Sequence, residues 1–154
     1  MKVLVISDSH GSYEKMRDLF YDEDWNAVIF LGDGLREADR LYDISGPVPV
    51  YRVKGNCDMY APDAFDEQLL ILAGKRVFIT HGHRYGVKNG YALLSNAAAL
   101  KNADIALCGH THTQFYQKQD GVILANPGAL VNGRYGVLRI ENGEIAFKFG
   151  DMYD

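Results

Sequence analysis

All five histidines of this chain fall in three short segments: His10 in Ser7-Asp8-Ser9-His10-Gly11, His81 and His83 in Thr80-His81-Gly82-His83, and His110 and His112 in Gly109-His110-Thr111-His112. Each segment follows directly on an apolar run. Two further apolar runs end in the same manner, in Leu31-Gly32-Asp33-Gly34 and in Gly55-Asn56-Cys57-Asp58. Imidazole nitrogens and carboxylate or amide oxygens are donors for divalent cations. In α/β sheets, ligands bind in the crevice beyond the carboxyl ends of the strands. Glycine at such an end lets the backbone turn sharply and lets a ligand come close. The chemistry these residue types could do together is therefore that of a metal site built from strand ends.

Taken singly, the pieces have bland readings. Asp-x-His is a short motif with a high false-positive rate, and Gly32-Asp33 or Asn56 alone is ordinary turn chemistry. His81 or His83 alone fits a hydrogen-bonded core or surface histidine. Gly109-His110-Thr111-His112 says more, because residues two apart in an extended segment point to the same side. The ordered set says most, since independent accidents would not put every histidine at the end of a strand. Asp8, His10, Asp33, Asn56, His81, His110 and His112 make seven candidate donors. One catalytic zinc needs about three protein ligands plus a water. Seven donors suit two ions that share a carboxylate, which has two oxygens and a charge to set between them. Two divalent ions against two carboxylates leave a local charge of about +2 with neutral histidines, enough to attract a phosphate ester. Ions roughly 3.5–4 Å apart can polarise phosphoryl oxygens and acidify a shared water.

The elements that must position these donors read as follows. Lys2 to Ser7 is apolar at nearly every position, as expected of a strand covered on both faces. Ser12 is placed to cap a helix to about Tyr21, with Met16, Leu19 and Phe20 on its buried side. Ala27 to Leu31 is a second buried strand, Arg36 to Tyr42 a short helix and Val48 to Val53 a third strand. Gln68 to Leu72 and Val77 to Thr80 read as a hairpin around Gly74, Asn89 to Leu100 as a helix, and Ile105 to Cys108 as a short buried strand. Asp120-Gly121 and Asn142-Gly143, each between two strand-like runs, are hairpin signals. The pattern predicts a βαβ front half and a meander-like back half, in two facing sheets with helices outside.

Composition bounds the rest. The 154 residues, with no repeat and no Pro/Gly/Ser linker, predict a single domain over 1–154 with a real core. Apolar residues at 47% and charged residues at 23% fit a globular chain. No apolar run approaches the roughly 18 residues that cross a membrane, and Met1 to Ser7 reads as a strand, not an export signal. A net charge of −4 argues against general nucleic-acid binding. Cys57 and Cys108 are too few for a disulfide framework, so the cytoplasm is the expected compartment. Cys108 is expected to pack as a small apolar residue. Oligomeric partners are not legible.

In order along the chain, Asp-x-His, Gly-Asp, Gly-Asn-x-Asp, a histidine after a strand and Gly-His-x-His resemble the calcineurin-like metallophosphoesterases. The short length, Gly55-Asn56-Cys57-Asp58, Thr80-His81-Gly82-His83 and Asn126-Pro127-Gly128-Ala129 are similar to the small, single-domain YfcE-like phosphodiesterases, and the likeness spans residues 3 to about 130. The resemblance implies a four-layer α-β-β-α sandwich of two facing mixed sheets. It also implies a dinuclear site: Asp8, His10 and His112 on one metal, Asn56, His81 and His110 on the other, Asp33 bridging, and a bridging hydroxide attacking phosphorus in a small phosphate ester, a diester in preference to a monoester. It points to manganese. By donor type alone, nickel, zinc or iron also fit, and magnesium is a further alternative.

One position departs from the pattern. Many relatives have a histidine between the Asn and the acid, which protonates the leaving group or steadies the transition state. Here that position is Cys57, a weak donor with an ordinary pKa near 8.5. Either His83 or solvent supplies the proton, or esters with good leaving groups are preferred. His83 is expected behind the ligands or facing substrate; Arg36 and Arg134 are candidate substrate contacts, and Asn126-Pro127-Gly128 a fixed turn shaping the site. Two other readings compete with this one. A non-catalytic scaffold, like the retromer subunit with this fold, would have no need of seven competent donors. A repair nuclease of the superfamily would carry further domains and a basic surface.

Overall fold

Val3, Leu4, Val5 and Ile6 are all fully buried in the computed structural model, which describes residues 1–59 and 61–154. They form β1 (Lys2–Ile6), and burial on both faces is what its unbroken apolar run requires. Helix α1 (Tyr13–Asp22) leads to β2 (Ala27–Phe30), and α2 (Leu35–Ile44) to β3 (Val50–Arg52). Then follow β4 (Glu67–Leu72), β5 (Lys75–Thr80), α3 (Ala92–Leu100), β6 (Ile105–Leu107), β7 (Phe115–Gln119), β8 (Val122–Asn126), β9 (Arg134–Glu141) and β10 (Glu144–Asp151).

Among the described residues the strands make two five-stranded mixed sheets, ordered β10-β9-β1-β2-β3 and β4-β5-β6-β8-β7. In the first, β1, β2 and β3 are parallel, with Val3 opposite Ala27 and Val28 opposite Val50. In the second, β5, β6 and β8 are parallel, with Val77 opposite Ile105 and Ile105 opposite Ile123.

Alternation along each strand sorts the side chains into layers. Val3, Val5, Ala27 and Ile29 face Val77, Ile79, Ile105 and Leu107 in the core between the sheets. Their neighbours Leu4, Ile6, Val28 and Phe30 turn outward onto Met16 and Leu19 of α1 and Ala38 and Leu41 of α2. On the far side Phe78, Ala106 and Leu124 meet Leu94 and Ala98 of α3. The layers are thus α-β-β-α, as the resemblance implied. A Leu107→Ala change would leave a hole between the sheets and cost about 2–5 kcal/mol.

The back half is not a meander. The alanine-rich segment is a crossover that returns β6 parallel to β5, and β7 pairs antiparallel with β8 at the sheet edge, so β8 also comes back parallel. The β9–β10 hairpin leaves this sheet altogether and joins the first one, β9 running antiparallel to β1. Helix α3 begins at Ala92 and not at Asn89, because Gly90 takes φ +120° and a 3-10 turn occupies Val87–Asn89. Ser12 does precede α1, but its side chain makes no capping bond. Asp120-Gly121 and Asn142-Gly143 form the expected two-residue turns, with positive φ at both residues of each.

Candidate metal centre

Parallel strands put their carboxyl ends at one edge, and both sheets bring that edge to the same place. Asp8 follows β1, Asp33 follows β2, Asn56 follows β3, His81 follows β5 and His110 follows β6. The backbone there is strained. Nine described non-glycine residues have positive φ, and five of them are Asp8, His10, Asp33, His110 and His112. The left-handed region costs a non-glycine residue roughly 1–2 kcal/mol, so neighbours must hold these turns in place.

Several buried groups do so. The Asp8 amide donates to Gly32 O at 2.9 Å, and Asp8 Oδ2 accepts from Ser7 Oγ at 2.6 Å and His110 N at 3.1 Å. Gly109 is obligatory, because a Cβ there would fall on Ser7 Oγ and lie 2.7 Å from Asp8 Oδ2. Asn126 is fully buried; its Nδ2 donates to Gly109 O at 2.9 Å and Thr111 Oγ1 at 3.0 Å, while Oδ1 accepts from Gly128 N at 2.9 Å. That is the fixed turn expected of Asn126-Pro127-Gly128, and it steadies the loop that carries His110 and His112.

The donors converge. His112 Nε2 lies 3.2 Å from Asp8 Oδ1, and His10 Nε2 lies 3.7 Å from the same oxygen. His81 Nε2 is 3.3 Å from Asp33 Oδ2 and 3.9 Å from Asp8 Oδ1. His10 Nε2 is also 3.9 Å from Asp33 Oδ2, so Asp33 reaches toward both halves of the cluster. The His110 ring centroid is 5.0 Å from that of His81. Three donor sets have all their atoms within 4.8 Å of one another: Asp8 with His10 and His112; Asp33 with His81 and His110; and His10 with Asp33 and Cys57.

Two atoms in this cluster are anomalous for a protein alone. Asp8 Oδ1 and His81 Nε2 are buried without a hydrogen-bond partner. An unsatisfied buried polar group costs about 1–3 kcal/mol, more if charged. A cation between them removes that cost, so the donor set fits divalent ions with nitrogen and oxygen preferences. His81 Nδ1 is held by Leu31 O at 2.7 Å, which aims Nε2 into the cluster.

Protonation follows the geometry. Burial works to raise the Asp33 carboxyl, but His81 and the Cys57 amide at 2.8 Å override it and hold the group well below the carboxylate range. Burial works to lower His81, but Asp33 and Asp8 prevail and raise it. Burial, with His81 next in weight, lowers His110 and His83, so both are neutral at pH 7 and His110 is ready as a ligand. Burial first, then the Asp33 charge, raises the Cys57 thiol.

The remaining expected residues divide. Asn56 is exposed, and its amide is 3.6 Å from Cys57 Sγ. His83 stands behind His81, ring centroids 5.4 Å apart, with Nδ1 buried and unpartnered. Cys57 is exposed and Cys108 is buried. Arg36 walls a cavity of about 350 Å³ that also borders His10, Asp33, Cys57, Leu35 and Met59. Arg134 pairs with Asp151 at 3.2 Å.

Two acids that organise the site were not singled out from the sequence. Asp58 accepts four backbone N–H groups: Asp33 at 2.7 Å and Gly55 at 2.8 Å on Oδ2, Gly34 at 2.9 Å and Leu35 at 3.1 Å on Oδ1. It thereby caps α2 from a distance and ties the β2 and β3 ends together. Glu37, only 8% exposed, accepts from the Gly11 amide and from Ser9 Oγ. The available signals were an acid following a strand end and an acid on the apolar face of a helix, where burial demands a partner.

A family model described as the calcineurin-like phosphoesterase superfamily domain matches residues 1–142. A probable metallophosphoesterase of Bacillus subtilis, YsnB, is 31% identical over 158 residues, covering 99% of this chain and 92% of the relative. The Escherichia coli phosphodiesterase YfcE is 29% identical, covering 84% of this chain and 79% of the relative. The crystal structure of a predicted phosphoesterase from Streptococcus pneumoniae superposes with a TM-score of 0.82 at 26% identity, covering 97% of this chain and 88% of that one.

Proposed function

The chain belongs to the calcineurin-like phosphoesterase superfamily, and from that premise we propose that it hydrolyses a small phosphodiester at a pair of divalent ions, manganese by preference. The observation that carries the reading is the pair of orphaned donors, Asp8 Oδ1 and His81 Nε2, 3.9 Å apart. Asp8, His10 and His112 would hold one ion, Asn56, His81 and His110 the other, with the Asp33 carboxylate shared. The position of Asp33 supports that sharing, since its Oδ2 is within 4 Å of His10 on one side and His81 on the other.

When bound, such ions acidify a water and polarise phosphoryl oxygens. The chain's own part is to hold and orient. Asp58 and Ser7 fix the turns that aim the acids. The cavity beside His10 and Asp33 has room for the ester's organic group against Leu35 and Met59, with Arg36 reaching its phosphoryl oxygens. As neutral groups, His83 and Cys57 can donate a hydrogen bond to the departing oxygen, and solvent supplies its proton. We take residues 1–154 as one catalytic unit working in the cytoplasm, in keeping with two free thiols. No helix among the described residues is long and apolar enough to cross a membrane.

A panel of aryl diesters, aryl monoesters and cyclic nucleotides tests this with manganese, nickel, zinc and magnesium and with chelator. The expected result is metal-dependent hydrolysis, fastest on a diester. Activity that survives complete metal removal overturns it.

A further inference from the structure

We propose that Cys57 gives the centre a second way of holding an ion: with His10 and Asp33 it forms an alternative site for a thiophilic divalent cation, zinc or cadmium, that competes with the catalytic pair. The donor atoms of these three residues lie within 4.8 Å of one another. One nitrogen, one oxygen and one sulfur, completed by a water, is a tetrahedral zinc set. All three residues border one cavity of about 350 Å³. Asp8 Oδ1, fully buried and without a hydrogen-bond partner, lies 3.7 Å from His10 Nε2.

The Cys57 backbone is pinned, its amide donating to Asp33 Oδ1 at 2.8 Å, while the side chain is exposed, with Sγ 3.6 Å from the Asn56 amide and within 4.8 Å of the His10 and Asp33 donor atoms. Rotation about one bond therefore offers or withdraws sulfur without moving the loop. Sulfur is a poor donor for manganese or magnesium and a good one for zinc and cadmium. With a hard ion the thiol keeps its proton and stays aside. With a thiophilic ion the S–H proton passes to solvent as the sulfur–metal bond forms, and no oxidant or reductant is needed.

The consequence is discrimination between ions. His10 and Asp33 belong to the proposed catalytic set as well, so an ion that recruits Cys57 removes His10 from that set. It also fills the mouth of the cavity that these residues border. Excess zinc would then silence the centre where excess manganese would not. This rests on the dinuclear reading, but its test does not depend on turnover.

The test is titration of the metal-free, full-length protein with cobalt(II), followed by absorption, together with zinc and manganese affinities by competition. The wild type should show a near-ultraviolet thiolate-to-cobalt charge-transfer band, absent in Cys57→Ser. Zinc affinity should fall by about tenfold or more in Cys57→Ser, with manganese affinity changed by less than about twofold. Cobalt binding with ligand-field bands but no charge-transfer band overturns the thiolate site and leaves the dinuclear reading standing. No cobalt binding at all overturns both. A band that persists in Cys57→Ser also overturns the proposal, because the sulfur would then be another one.

Discussion

Replacing Asp58 with alanine removes the acceptor of four backbone N–H groups, those of Asp33, Gly34, Leu35 and Gly55, at 2.7–3.1 Å. Hydrogen bonds to a charged acceptor contribute about 1.5–3 kcal/mol each. They share one carboxylate and do not add, and water reaches this half-buried group, so the expected loss is about 3–5 kcal/mol in place of the simple sum. For a chain of this size about 1 kcal/mol moves Tm by about 2–4 °C, so the fall should be about 6–20 °C. Asp58→Asn keeps one acceptor oxygen but sets an NH2 against two donors, and should lose about half as much. Urea unfolding of the chelated proteins measures this from the midpoint at constant m. Because Asp58 holds the Asp33 turn, manganese affinity should fall in the variant that still folds. An Asp58→Ala protein that unfolds within about 1 kcal/mol of wild type and binds manganese as tightly refutes the reasoning.

The shared carboxylate makes Asp33→Ala the most damaging single ligand loss: it should abolish tight binding of both ions, and calorimetry finding two tight sites in it would disprove the bridge. Gly109→Ala and Gly55→Ala should impair the metal site out of proportion to their size, because the added carbon would strike Ser7 and Asp33; metal-bound Tm and activity equal to wild type would contradict this. The metal-free protein should lose stability as pH rises. His81 is raised, so its contribution is complete below the unfolded value of about 6.5 and disappears as pH climbs through the folded value above it. Asp33 is lowered, so its contribution is present above the unfolded value of about 3.9 and is lost only in stronger acid. Metal binding must displace the His81 proton, so affinity should rise over the same window, with proton release seen as a buffer-dependent enthalpy. Flat stability from about pH 5 to about 9 in chelator, with no proton release, contradicts the assignment.

That the donor side chains converge was legible because parallel strands deliver the residues at their ends to one edge. Asp8, His10, Asp33, His81, His110 and His112 meet as that pattern implied. The four layers were legible for a related reason: strands such as Val77–Thr80 are apolar on both faces and must be covered twice. Strand pairing was not legible. Nothing local in Ile105–Leu107 says whether its neighbours run parallel, and the destination of the β9–β10 hairpin depends on a partner more than a hundred residues away, at Lys2. Asp58 was hidden because its value lies in four backbone amides, which leave no mark on side-chain spacing. Asn56 was expected among the ligands from motif position and is proposed there on that ground.

The central claim is tested most directly by counting ions. Metal-free protein titrated with manganese(II) and followed by calorimetry and electron paramagnetic resonance should bind two ions per chain, with the spectrum of a spin-coupled pair. Both sites should be weakened in Asp33→Ala, one in His112→Ala. A single uncoupled manganese, or two ions bound unchanged in Asp33→Ala, would contradict the account.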